Sequence, residues 1–241
     1  MTAIRASILL LLGVLAHSAV RANDWPAPIT DYLQTLGAVE SAPARSSLEP
    51  LFVAALAVQD HTMHIQDSQA WLETLPDAEF DELQRLLRGM RLSRGYDVYA
   101  APDPEFFRQL SLDKGLDQDR AFFRRYRQSW GDDLLPTYLR QTSRVAPCVR
   151  YSEGIVPDLY LAWTDFRRAF PQAYVGYARQ FVADLEETVT LGTCACGDQD
   201  SVEHELSGFL TLFAQSPATP GIVARLQQLE DDPEKLPVNC R

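Results

Sequence analysis

Two of the chain's four cysteines stand one residue apart, in Thr193-Cys194-Ala195-Cys196-Gly197, with Cys148 upstream and Cys240 next to the last residue. A bridge between Cys194 and Cys196 would close a strongly strained ring, so each pairs outward. One joins Cys148 and the other Cys240, and the spacing leaves open which goes with which. Each closed loop then holds about 45 residues, for which chain entropy gives on the order of 4 kcal/mol of stabilisation. The segment from Cys148 to Cys240 is therefore expected to fold as a unit stapled at one short loop.

Disulfides persist in oxidising compartments, and the amino terminus supplies a route to one. Arg5 precedes the apolar run Ile8–Ala16, and Val20-Arg21-Ala22 places small or modest residues ahead of a cleavage point after Ala22, with Ala19 as the alternative. Residues 1–22 are thus read as a signal peptide and 23–241 as a single helical domain, divisible into an N-lobe (23–100) and a disulfide-stapled C-lobe (101–241). The apolar run falls well short of the ~20 residues that span a bilayer. No membrane insertion of the mature chain is expected, and its place is periplasmic or secreted.

Acidic residues outnumber basic ones by 33 to 22, giving a net charge of −11. Loss of Arg5 and Arg21 with the signal makes the chain two units more negative. Such a chain repels nucleic acid and anionic lipid at long range, and the partner expected is another protein.

Apolar spacing points to an all-α fold of about nine helices. A short helix is expected around Ile29–Leu36. A strong one starts at Ser47 and Leu48 and carries its pattern through His61 and His64 towards Trp71 and Leu75, where Pro76 ends it. Asp77 opens a helix bearing Phe80, Leu83 and Leu86. Residues 94–99 are the one stretch that admits a strand. Asp103-Pro104-Glu105 has cap, proline and first-turn acid in the favoured order. Later helices are expected over Val156–Ala169, from Pro171 to Leu191, from a cap at Asp200 or Ser201, and from Thr219-Pro220. No alternating hairpin pattern is evident.

Three chemistries compete. A metal-assisted hydrolase would use His61, His64 and His204 as ligands, with Asp60 and Asp67 as supporting carboxylates. The zincin helix pattern fails, because Gly208 stands where the second histidine belongs. A thiol oxidoreductase would use Cys194 and Cys196, yet the pair follows a helix end among Glu186, Glu187, Asp198 and Asp200, which raises thiol pKa values. No phosphate-binding loop, dinucleotide fingerprint or nucleophile elbow occurs, so no cofactor is expected. The reading left is a non-enzymatic protein that binds another protein in the cell envelope, as inhibitor, immunity-type or adaptor protein. Two arginine clusters (Arg85, Arg88, Arg91, Arg94 and Arg120, Arg124, Arg125, Arg127) form either a basic face for an acidic partner or a set of salt bridges. The aromatics recur at helical spacing and are assigned to the core.

Overall fold

A computed structural model of the chain describes residues 25–66, 69–95, 98–141, 147–191 and 194–231. The signal-peptide reading, Asp67 and Cys240 lie outside these residues. Among the described residues ten helices occur, in the order α1 (Ala27–Ser41), α2 (Glu49–Thr62), α3 (Trp71–Thr74), α4 (Asp77–Leu86), α5 (Pro104–Lys114), α6 (Asp117–Ser129), α7 (Ile155–Ala169), α8 (Val175–Leu191), α9 (Gln199–Leu212) and α10 (Thr219–Asp231). Three small antiparallel hairpins interrupt them: β1 (Ile65–Gln66) with β2 (Gln69–Ala70), β3 (Met90–Arg94) with β4 (Val98–Pro102), and β5 (Leu139–Gln141) with β6 (Pro147–Val149). No helix among the described residues is long and apolar enough to cross a membrane.

The expected cap at Asp103 holds. Asp103 precedes Pro104 and accepts the Glu105 and Phe106 amides at 2.8 and 3.2 Å. Asp119, three residues into α6, reaches back to the Leu116 amide at 2.7 Å. Elsewhere the boundaries move. Thr62 turns its hydroxyl back onto the Val58 and Gln59 carbonyls, and α2 ends there. His64 therefore lies beyond the helix. α8 starts at Val175 and not at Pro171, and Asp198, not Asp200 or Ser201, caps α9 by accepting the Ser201 amide at 3.0 Å.

The hairpins are the main departure from expectation, although β3 and β4 overlap the ends of residues 94–99, the one stretch expected to admit a strand. β3 and β4 pair from Met90 with Pro102 to Arg94 with Val98, and their buried positions are Leu92, Ala100 and Pro102. Gly89 leads into β3 at φ 86°, where a Cβ would meet the Phe106 ring at 2.4 Å. Only glycine satisfies both demands.

The core is aromatic and centred on Phe52 of α2. Its ring lies 5.1 to 6.0 Å from those of Phe107, Phe122, Phe123, Tyr126, Tyr174 and Tyr177, mostly edge to face. Trp163 packs on Phe122 and donates its indole N–H to the Ser129 hydroxyl at 2.8 Å. α10 is fixed to α8 by Arg225. This buried guanidinium donates to the Thr188 and Val189 carbonyls near the carboxyl end of α8, and to the Tyr151 hydroxyl.

The cysteine loop behaves as a short strand. The Val149 amide donates to the Cys194 carbonyl and the Cys196 amide to the Val149 carbonyl, both at 2.8 Å, so the loop lies along β6. A disulfide joins Cys148, which is fully inside, to Cys196, with Cα atoms 5.0 Å apart. Cys194 is oxidised as well.

Candidate functional site

Among the described residues, the side chains singled out for metal chemistry do not group together. His61 sits on the last turn of α2 against the Trp71 ring, with centroids 4.8 Å apart. Burial, and then the nearby His64, hold its pKa below the ordinary histidine value. His64 follows the helix end, exposed, and His204 lies on exposed α9 surface. Among the described residues no three His, Cys, Asp or Glu side chains are grouped so as to hold a metal ion. Cys196 is closed by its bond to a buried partner and carries strand hydrogen bonds on its backbone, which makes it an architectural residue.

The arginine clusters are largely consumed by carboxylates and carbonyls. Arg88 pairs with Glu40, Arg91 with Asp103, Arg94 with Asp77, Arg120 with Asp117, and Arg127 with Glu105 and Asp132. Arg125 donates to the Ala162 and Ala121 carbonyls, and Arg85 to that of Asp81. Of the two readings, salt bridging is the one these contacts describe.

Glu205 is a buried carboxylate with an incomplete set of partners. One oxygen accepts the Gly154 amide at 3.2 Å at the start of α7, and Oε1 has no partner among the described residues. Burial raises its pKa above the ordinary value, against the pull of the amides. It serves as a cap supplied by another helix.

A different site emerges at the edge of the aromatic core. A cleft of about 250 Å³ lies between α2, β4, the end of α6 and α8. Leu56, Gln59 and Met63 form one wall, Tyr99 to Ala101 a second, and Tyr126, Trp130 and Tyr177 the floor. β4 borders the gap with Ala100 and Ala101, which are small beside the rings that line the rest of it. The Trp130 indole donates to the Tyr177 hydroxyl at 2.8 Å, and the Tyr126 hydroxyl donates to the Pro102 carbonyl at 3.2 Å. Burial pushes both phenols far above the ordinary tyrosine range, so both remain protonated. The Tyr177 O–H and the Gln59 amide find no acceptor among the described residues. The cleft therefore offers a large apolar surface with two hydrogen-bond donors.

Leu134 stands at the mouth with φ 62°. A branched residue in the left-handed region costs about 1 to 3 kcal/mol and persists where its surroundings dictate it. Here they do. The Leu134 amide donates to Gly131, Asp133 accepts the Leu135 amide at 3.0 Å, and Asp132 is held by Arg91 and Arg127. Asp132 and Asp133, which precede Leu134, are exposed, and Asp132 is paired with Arg127. Sequence reasoning placed the rings in the core but had no signal for a gap among them. Comparison with protein-family models, characterised proteins and solved structures finds no match for the chain.

Proposed function

We propose that this chain is an exported, non-catalytic protein that binds another protein, and that it does so by receiving an apolar side chain of the partner in the aromatic cleft. One observation carries the reading. Among the described residues the cleft wall holds no His, Cys, Asp, Glu, Lys, Ser or Thr, and its buried Tyr126 and Tyr177 stay protonated, so it is equipped to bind an apolar group. The Tyr177 hydroxyl and the Gln59 amide suit a backbone carbonyl beside the anchor. The net charge of −11 favours lysine or arginine flanking it.

Export is supported by the apolar amino-terminal run and by the disulfide, which belongs to an oxidising compartment. Peptide display against the folded protein, with Ala101→Phe as the counter-selected variant, tests the binding mode. Ala101 borders the cleft and is half-exposed, so a larger ring there is expected to obstruct the mouth. Burying one such anchor is worth about 1.5 to 3 kcal/mol, so the expected result is enriched peptides with an apolar residue beside basic ones, bound at least about tenfold more weakly by the variant. Peptides that bind both proteins equally, or robust turnover of peptidoglycan, phosphoesters or lipids, would overturn the reading.

A further inference from the structure

We propose that a second hollow, between the carboxyl end of α7 and the amino end of α8, is a binding site for a phosphate monoester. Its volume is about 370 Å³, and its walls carry Arg167, Arg168 and Arg179 together with Phe170, Pro171 and Val175. Arginines on the rest of this acidic surface are mostly tied to carboxylates, as Arg108 is to Glu105 and Arg150 to Glu153. Arg168 follows that habit and is held by Asp165 one turn earlier. Arg167 and Arg179 do not. Both are exposed, and neither makes an ion pair or side-chain hydrogen bond among the described residues. Two uncommitted guanidinium groups on two helices thus face one hollow in a chain of net charge −11.

Their placement is built into the core. The turn between α7 and α8 ends at Tyr174, which adopts φ 51°. Its amide donates to Glu49 Oε1 at 2.7 Å and its hydroxyl to the buried Asp119 at 2.6 Å. Glu49 is thereby occupied on the far side of the turn. The turn fixes the helix bearing Arg167 against the one bearing Arg179. Guanidinium forks match phosphate oxygens in pairs, and the partial positive charge at the start of α8 adds to what the arginines define. Phe170, Pro171 and Val175 give the hollow an apolar side that a bare phosphate would leave empty. Its volume lies in the size class of small organic ligands, so an ester with a carbon portion is the better occupant.

Calorimetric titration at low salt with phenyl phosphate and with inorganic phosphate tests the site, and a vesicle arm separates a soluble ester from a lipid headgroup. The expected result is saturable binding of phenyl phosphate, several-fold tighter than inorganic phosphate. Arg167→Ala and Arg179→Ala each weaken it about tenfold or more, and Arg179→Lys weakens it too, because the fork is lost while the charge remains. Arg124→Ala, an exposed arginine on α6, leaves it unchanged. Co-sedimentation with phosphatidylcholine vesicles that depends on added phosphatidic acid, and is lost in the same variants, assigns the ester to a headgroup; without it the ester is soluble. Absence of saturable binding to either probe below about 10 mM, or binding unaltered in the Arg167→Ala/Arg179→Ala double variant, overturns the proposal. All these side chains are exposed, and circular dichroism verifies that the variants fold.

Discussion

Replacing Cys148 and Cys196 together with alanine isolates one clasp without creating a free thiol. The bond closes a sequence separation of 48 residues, for which the chain-entropy relation gives about 4 kcal/mol at 25 °C. Loss of packing around buried Cys148 adds on the order of 1 kcal/mol. A domain of this size is stable by roughly 5 to 15 kcal/mol, so the double variant forfeits a third or more of its margin. Urea unfolding followed by tryptophan emission is the assay, because Trp163 is fully buried and reports on the core. Two quantities move. The midpoint falls, and the slope m rises, because the unfolded chain expands once the 48-residue loop is cut open. The slope separates this account from one in which the bond acts through native contacts alone. A cost under about 1 kcal/mol with m unchanged would refute the reasoning. It would mean that the Val149 pairing with Cys194 and Cys196 already holds the loop.

Two further outcomes follow from buried polar groups. Tyr174→Phe removes the hydroxyl that donates to Asp119 at 2.6 Å and strands a fully buried carboxylate on the Leu116 amide alone; a loss of about 1.5 to 3 kcal/mol is expected in the same unfolding assay, and a loss below 0.5 kcal/mol would contradict the packing described. Glu205→Gln tests the raised carboxyl pKa. A group that binds its proton more tightly when folded contributes stability below its unfolded pKa and loses it as pH rises through the folded one. The urea midpoint of wild type relative to this variant should therefore fall from pH 4 to 7, and a flat or rising difference excludes the assignment.

Much of the helical framework was legible because it rests on local chemistry. Asp103-Pro104-Glu105 carries cap, fixed φ and favourable dipole charge within three residues, and α5 begins there. The hairpin β3–β4 was hidden by its own composition. Its buried positions are Leu92, Ala100 and Pro102, too short and too small to show an alternation. Arg88, Arg91 and Arg94 meanwhile fall at a helical spacing. α2 was extended past its end because the apolar rhythm runs on through His64 to Trp71, while the stop is made by a single threonine hydroxyl. Disulfide pairing could not be chosen, since bridging Cys148 to Cys194 or to Cys196 changes the loop by two residues, a negligible entropy difference. Both candidate sites escaped notice for one reason. The cleft joins residues 56–63, 99–101, 126–134 and 177, and the arginine hollow depends on a turn between helices. Periodicity reports which side chains face inward and says nothing of where they fail to meet.

The position of Phe52 has a consequence for how the chain matures. The nearest of its six ring neighbours in sequence is Phe107 and the farthest Tyr177. A polypeptide delivered from its amino end presents α2 long before most of those rings arrive. Such long-range closure slows folding and leaves apolar surface open to misassociation during the wait.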